Sequence, residues 1–306
     1  MKILMLCNSE TLALPTIYQL LQSNQLVGVA IPQKQVVRLS EALLKTGLIS
    51  ANIHVLQKEN LSVQLNHLIT STAADCLIAL TFPWQIPTDI LAKPTLGCIN
   101  FHFGLLPKYK GADPIFWQLK NREVLGGITI HKMTDKIDEG NILHVADVQI
   151  IPGETYGIHC SRLAMIAAEL VKQLKEIFQK EAIPQEPHHS SEYFLAPSIL
   201  QLGINWQTQT ADEIECLVNA TNPKYDGAIT SIKQQEIRIL EVAPADVNTT
   251  DIFAAGNIVY ADATYGLIVA CINKQFLKIN IVHTNEGYFS GIKLFNMGLK
   301  VGDCFM

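Results

Sequence analysis

Residues 97–114 read Gly97-Cys98-Ile99-Asn100-Phe101-His102-Phe103-Gly104-Leu105-Leu106-Pro107-Lys108-Tyr109-Lys110-Gly111-Ala112-Asp113-Pro114. An apolar run ends in an amide and an imidazole two residues apart, and a turn fixed by Gly104, Pro107 and Gly111 follows. Residues i and i+2 of a strand point to the same side. Asn100 and His102 therefore project together from a strand end with a rigid loop behind them. That presentation suits a hydrogen-bond donor and a general base aimed at one substrate atom. It equally suits a buried strand whose polar ends are satisfied by backbone, and these two residues alone leave both readings open.

Working back towards the N-terminus, Asp75–Leu80 is a short continuous apolar run, as expected of a strand buried on both faces. Residues 2–7, Leu26–Ile31 (closed by Pro32) and Ile53–Leu56 read as further strands. Amphipathic stretches separate them at Leu14–Leu21, with Pro15 near the start, at 38–47 and at Asn60–Leu68. Strands alternating with helices imply βαβ units. The expected fold is an α/β unit with an open, mostly parallel, Rossmann-like sheet. In such sheets the site lies at the carboxyl ends of the strands, where Asn100 and His102 fall.

Working forward, Asp113 can cap a helix with Pro114 in its first position. Gly127–Met133 alternates and reads as a strand. It leads into the polar loop Thr134–Gly140, which carries Asp138, and Asn141–Ile151 is another strand. Thr155–Phe178 reads as one long helix. Residues 179–197 lose all periodicity and form the best linker in the chain. His188 and His189 lie there and read as a solvated pair, since no carboxylate or thiol at ligand spacing accompanies them. Beyond residue 200 a helix near Asp212–Ala220 precedes five short β-rich runs: Ala228–Ile232, Glu236–Val242, Gly256–Ala261, Gly266–Cys271 and Gln275–His283. They suggest a small barrel or sandwich. The expected domains are 1–182, a linker over 183–200, and a C-terminal β-barrel over 201–306.

With 48% hydrophobic and 17% charged residues over 306 positions, this is a well-buried globular chain. Its formal net charge of -5 gives no support to a nucleic-acid surface. The seven cysteines are scattered, mostly in apolar runs and without C-x-x-C, and read as reduced core thiols of a cytoplasmic protein. The apolar start of the chain stops at Asn8 and reads as a strand rather than a signal peptide. No stretch suits a membrane span. Neither G-x-G-x-x-G after the first strand nor G-x-x-x-x-G-K-[ST] occurs, so a dinucleotide or nucleoside-triphosphate site of the usual kind is not supported.

Asn100-Phe-His102-Phe-Gly-Leu-Leu-Pro107-Lys-Tyr-Lys-Gly111 resembles the N-x-H-x-S-L-L-P-x-x-x-G signature of the folate-dependent formyltransferases. Ile137-Asp138-Glu-Gly140-Asn-Ile-Leu resembles their L-D-T-G-x-I-L segment, at the family's spacing. Leu12-Ala-Leu-Pro-Thr-Ile17 is similar to the start of the family's first helix, and Thr81–Leu91 to the loop lining its folate pocket. Ile204-Asn-Trp206, Asn222-Pro223 and Gly227-Ala228 resemble, more weakly, the C-terminal OB-like barrel of methionyl-tRNA formyltransferases. The resemblance implies N-formyl transfer from 10-formyltetrahydrofolate to a primary amine, without a metal. It implies Asn100 as oxyanion donor, His102 as base, and Asp138 as its orienter, imidazolium stabiliser or proton relay. Phe82, Trp84, Gln85, Ile86, Asp135, Ile137 and Gly140 are the implied folate contacts, and Gly104, Lys108, Tyr109 and Asp113 the candidate acceptor contacts. His131 reads as a satisfied core histidine, with a pocket-lining place as the alternative.

Departures from the pattern bear on the acceptor. Gly104 stands where the family usually has Ser, and Gly111-Ala-Asp113-Pro114-Ile-Phe-Trp117 looks more like formyltransferases acting on amino sugars or carrier-bound amino acids. The loop Ile31–Arg38 is short, with only Lys34 and Arg38 basic. Residues 201–306 hold seven Lys or Arg against eleven Asp or Glu, poor support for a phosphate backbone. The preferred acceptor is an amino sugar or another small or carrier-bound amine. Initiator methionyl-tRNA is the alternative acceptor, hydrolysis of the formyl donor an alternative reaction, and a non-catalytic RNA-binding relative a third class.

Overall fold

The computed structural model describes residues 1–185 and 193–306. The His188–His189 pair lies outside the described residues. Along the chain come β1 (Ile3–Cys7), α1 (Glu10–Gln22), β2 (Leu26–Pro32), α2 (Val36–Lys45), β3 (Ile53–Leu56), α3 (Leu61–Thr72), β4 (Cys76–Leu80), α4 (Thr88–Leu91) and β5 (Cys98–His102). Next are β6 (Lys110–Gly111), α5 (Pro114–Lys120), β7 (Leu125–Lys132), β8 (Ile142–Gln149), α6 (Tyr156–Lys172), α7 (Leu174–Gln179) and β9 (Tyr193–Phe194). Then follow α8 (Ala211–Thr221), β10 (Ala228–Ile232), β11 (Gln235–Pro244), β12 (Ile258–Asp262), β13 (Gly266–Ala270), β14 (Phe276–Thr284), β15 (Gly287–Ser290) and α9 (Gly291–Asn296). Two compact units result. One holds residues 1–114, 125–149 and 160–194; the other holds 115–124, 150–159 and 195–306.

The first unit is built on a seven-stranded sheet of order β3-β2-β1-β4-β5-β7-β8. The first five strands run parallel; β7 runs antiparallel to β5, and β8 antiparallel to β7. Every residue of β1 and β4 is buried, which is why those segments carry no alternation. Helix α1 begins four residues before its expected start. Ser9 caps it, its hydroxyl accepting from the Leu12 N–H, and Pro15 lies inside the helix rather than in its first turn. The polar residues Glu10 and Thr11 hid that start, because apolar periodicity shows only where a face is buried. The expected long helix over 155–178 is two helices broken at Gln173. The expected linker is not featureless: Ile183 bridges Ile142, and β9 pairs in parallel with β6.

In the second unit, Thr210 and Glu213 form a reciprocal capping box that starts α8. The sheet order is β10-β11-β14-β13-β12, with β15 beside β14. Cys304 bridges Asn257 and Phe305 bridges Ile232, so the segment after α9 joins β10 to the start of β12 and closes the sheet into a barrel. Trp206 packs against Phe305 inside it, with its indole N–H donating to the Thr230 hydroxyl at 2.9 Å. Among the described residues no helix is long and apolar enough to cross a membrane.

Candidate active site

β5 turns Asn100 and His102 to one side of the sheet, as the i, i+2 spacing predicts. In the antiparallel register with β7, Asn100 stands opposite His131 and His102 opposite Thr129. Thr129 pins the loop that follows β5. Its hydroxyl donates to the Gly104 carbonyl at 2.6 Å and accepts from the Leu106 N–H at 3.1 Å. The loop then doubles back until the Tyr109 carbonyl accepts from His102 Nε2 at 2.8 Å. Phe194 of β9 stacks on the Tyr109 ring at 5.2 Å. Its carbonyl accepts from the Ala112 N–H at 2.7 Å.

Asp138 arrives from the β7–β8 loop, in the left-handed region with φ 56. One carboxylate oxygen, Oδ2, accepts from the Gly111 N–H at 2.8 Å and lies 3.5 Å from His102 Nδ1. The other, Oδ1, lies 3.4 Å from both Asn100 Nδ2 and His131 Nε2. Gln185 holds this loop from outside, its amide N–H groups donating to the carbonyls of Asp138 and Gly140 at 2.9 and 2.7 Å.

Burial of Asp138 favours its neutral form, but the His102 ring, the hydrogen bond from His131 and the Gly111 N–H outweigh that and hold its carboxyl at about 2. Burial pushes His102 below the usual histidine value. Asp138 pulls it partly back, neighbouring His131 pushes it down, and the Tyr109 carbonyl raises it. Near neutral pH the site therefore holds an ionised carboxylate beside a neutral imidazole. Both ring nitrogens face acceptors, so the surroundings are arranged for the imidazolium that proton uptake creates.

Asn100 Nδ2, His131 Nε2 and Asp138 Oδ1 form a nearly equilateral triangle, with sides of 3.2, 3.4 and 3.4 Å. His131 and Asp138 thus subtend about 60° at Asn100, half of the roughly 120° between the two N–H bonds of a planar amide.

The other sequence candidates take varied places. Phe82 and Trp84 are half-buried and meet edge to face at 5.3 Å. Exposed Gln85 donates to the Asp135 carbonyl, tying the loop after β4 to the one after β7, and Ile137 is 45% exposed. Ile86 does not line a surface: it is 1% exposed and packs in the core with Leu4, Leu77 and Ile90. Gly140 lets the loop backbone pass against the Lys132 carbonyl, where a Cβ would collide. A Cβ on Gly104 would lie 2.9 Å from His102 Nε2 and from Pro114 Cβ, so this glycine makes room for the His102 ring. Lys108 is exposed, whereas the Tyr109 ring is buried against Phe194 and acts through its carbonyl. Asp113 takes φ 56 just before α5, not the extended conformation of an ordinary cap. His131 is 2% exposed, as a core histidine would be, yet it belongs to the site. Its place opposite Asn100 was the signal, and only the strand register reveals it. Among the described residues no group of His, Cys, Asp or Glu could hold a metal ion.

Residues 1–173 match the formyl transferase family and residues 201–299 its C-terminal domain. A methionyl-tRNA formyltransferase of Acetivibrio thermocellus is 33% identical, over 77% of this chain and 76% of that protein. One of Alkaliphilus oremlandii is 29% identical, over 98% and 95%. Similar solved structures include HypX from Aquifex aeolicus in complex with tetrahydrofolic acid (TM-score 0.67, 14% identity, 98% of this chain and 48% of that one). The N-formyltransferase from Helicobacter canadensis, in complex with folinic acid and dTDP-3-aminofucose, has a TM-score of 0.64 and 20% identity, over 90% of this chain and 98% of that one. The chain belongs to the formyl transferase family, as a folate-dependent N-formyltransferase of the methionyl-tRNA formyltransferase-like kind. It is thus an enzyme whose formyl donor is a formyl-folate.

Proposed function

We propose that the protein transfers the formyl group of 10-formyltetrahydrofolate to the primary amine of a small or carrier-bound acceptor, with Asn100, His102 and Asp138 as the reacting centre. The meeting of these three residues from β5 and the β7–β8 loop carries the reading. The amine attacks the formyl carbon, and the carbonyl oxygen gains charge. The Asn100 amide donates to that oxygen; such a donor is typically worth about 3 kcal/mol. His102 takes the proton the amine loses, a contribution on the order of 10²–10⁴ in rate. The Asp138 carboxylate and the Tyr109 carbonyl stabilise the imidazolium. The carbon–N10 bond then breaks, and the same proton goes to N10, leaving the formamide and tetrahydrofolate. Phe82, Trp84 and Ile137 offer partly exposed apolar surface for the flat pterin, beside the backbone that Gln85 and Asp135 hold.

Charge supports the choice of acceptor. The segment 201–306 is acidic overall. Within the second unit Lys233 pairs with Asp303, Arg238 with Glu236, and Lys224 bonds the Tyr156 hydroxyl. Phosphate-backbone affinity needs clustered, available cations. Initiator tRNA is the second reading, supported by the 33% identity to a methionyl-tRNA formyltransferase. The test incubates the protein with 10-formyltetrahydrofolate and either dTDP-3-aminofucose or methionyl initiator tRNA, with mass spectrometry of products. Formylation of the sugar nucleotide supports the preferred acceptor, and rapid formylation of the tRNA replaces it. Free formate without a formylated amine makes the enzyme a hydrolase.

A further inference from the structure

Phe194 comes from a distant part of the chain and holds the loop after β5 at two points. Its half-buried ring stacks on the Tyr109 ring, with centroids 5.2 Å apart and planes inclined by 24°. Its carbonyl accepts from the Ala112 N–H at 2.7 Å, where β9 runs parallel to β6. Between these two holds lie the backbone groups that face the reacting pair. The Tyr109 carbonyl is 2.8 Å from His102 Nε2, and the Gly111 N–H is 2.8 Å from Asp138 Oδ2. The loop does not keep this shape by its own preference. Tyr109 has φ 56, in the left-handed region that a bulky side chain avoids. Such a residue stays there only where its surroundings over-determine it. On relaxation, rotation about the Tyr109 backbone would carry its carbonyl off His102.

We propose that Phe194 is a positioning residue: by clamping residues 109–112 it keeps the Tyr109 carbonyl on His102 and the Gly111 N–H on Asp138. This rests on the role given to His102 above. No proton passes through Phe194. It acts through Tyr109, whose ring is the anchor and whose carbonyl is the group that works. The titratable groups facing His102 are Asp138 and His131, and Phe194 reaches the imidazole only through backbone. The carbonyl favours the imidazolium, as does the carboxylate that Gly111 holds. Releasing them lowers His102 further, whereas letting water reach the buried ring raises it towards 6.5. A clamp and a mere cover are thus told apart by the direction in which His102 moves.

Two measurements test it on the full chain. The first is a ¹H NMR titration of the His102 ring, which needs no acceptor. In Phe194→Ala the midpoint should fall by about 1 pH unit relative to wild type. An unchanged midpoint overturns the proposal, because the carbonyl has then stayed in place without the clamp. A rise towards 6.5 also overturns it, because the ring then only keeps water out. The second is kinetic, with 10-formyltetrahydrofolate and whichever of dTDP-3-aminofucose or methionyl initiator tRNA is formylated. Phe194→Ala should lower kcat about tenfold and move the acid limb of kcat/KM to lower pH, while the KM for 10-formyltetrahydrofolate changes less than about twofold. Phe194→Tyr keeps the stacking ring and should restore both kcat and the limb. Tyr109→Ala removes the other half of the stack and should match Phe194→Ala, with the double variant no more than about twofold slower than either. Wild-type kcat in Phe194→Ala, beside a crippled His102→Ala, overturns the Phe194 role and leaves that of His102 intact. An active His102→Ala overturns the reading on which it rests.

Discussion

The backbone carbonyl of Tyr109 lies 2.8 Å from His102 Nε2, so the loop after β5 takes part in the acid–base chemistry rather than merely framing it. The position of that carbonyl depends on Gly111, which holds φ 98 and lies where a Cβ would strike the Phe194 carbonyl. Gly111→Ala should cost at least about 1 kcal/mol of stability from backbone strain alone. It should also lower kcat, because the Gly111 N–H to Asp138 and the Tyr109 carbonyl shift together. Denaturant melts beside steady-state rates check this; a variant with unchanged kcat would remove the loop from the chemistry.

The pH profile follows from burial. His102 must be neutral to accept the amine's proton, and burial sets its value below the ordinary 6.5. Activity is therefore kept as pH falls through 6.5 and lost only at the lowered value. Asp138→Asn removes the group that pulls His102 upward. The acid limb of kcat/KM should then move to still lower pH, while the rate falls on the order of 10²-fold or more. An acid limb that moves upward would contradict this electrostatic arrangement.

Gln185 ties the Asp138 loop by two hydrogen bonds to backbone carbonyls. Gln185→Ala should cost about 1–3 kcal/mol of stability and reduce kcat more than the KM for 10-formyltetrahydrofolate. A stable variant with full activity would show that the loop holds itself.

Phe305 is 1% exposed and packs on Trp206 within the barrel. Phe305→Ala should destabilise the second unit by about 3–5 kcal/mol. Urea unfolding followed by the Trp206 fluorescence measures it, with the other tryptophans replaced.

Most of the parallel sheet is legible in the sequence, because buried strands such as β1 and β4 are continuous apolar runs between turn residues. Asn100, His102 and Asp138 are legible through local spacing and through the resemblance. Three things are not. The start of α1 lies in polar residues, whose cap is visible only once Ser9 is seen to accept the Leu12 N–H. Pairing of β6 with β9 joins two-residue segments from distant parts of the chain, too short for any periodicity. His131 belongs to the site only because β7 runs antiparallel to β5 in one register. A register is a property of two strands, and neither segment states it alone.

Ser231 and Met306 exchange backbone hydrogen bonds across 75 residues, the pairing that seals the barrel. During synthesis the barrel therefore stays an open sheet until Met306 has left the ribosome, the edge of β10 being covered at Ile229 by Gly203 but open at Ser231 and Ile232. The seven-stranded sheet has its last strand once Gln149 emerges. Growth of the chain thus sets an order: the half that holds Asn100, His102 and Asp138 can assemble early. The other half must be shielded from edge-to-edge association until synthesis reaches residue 306.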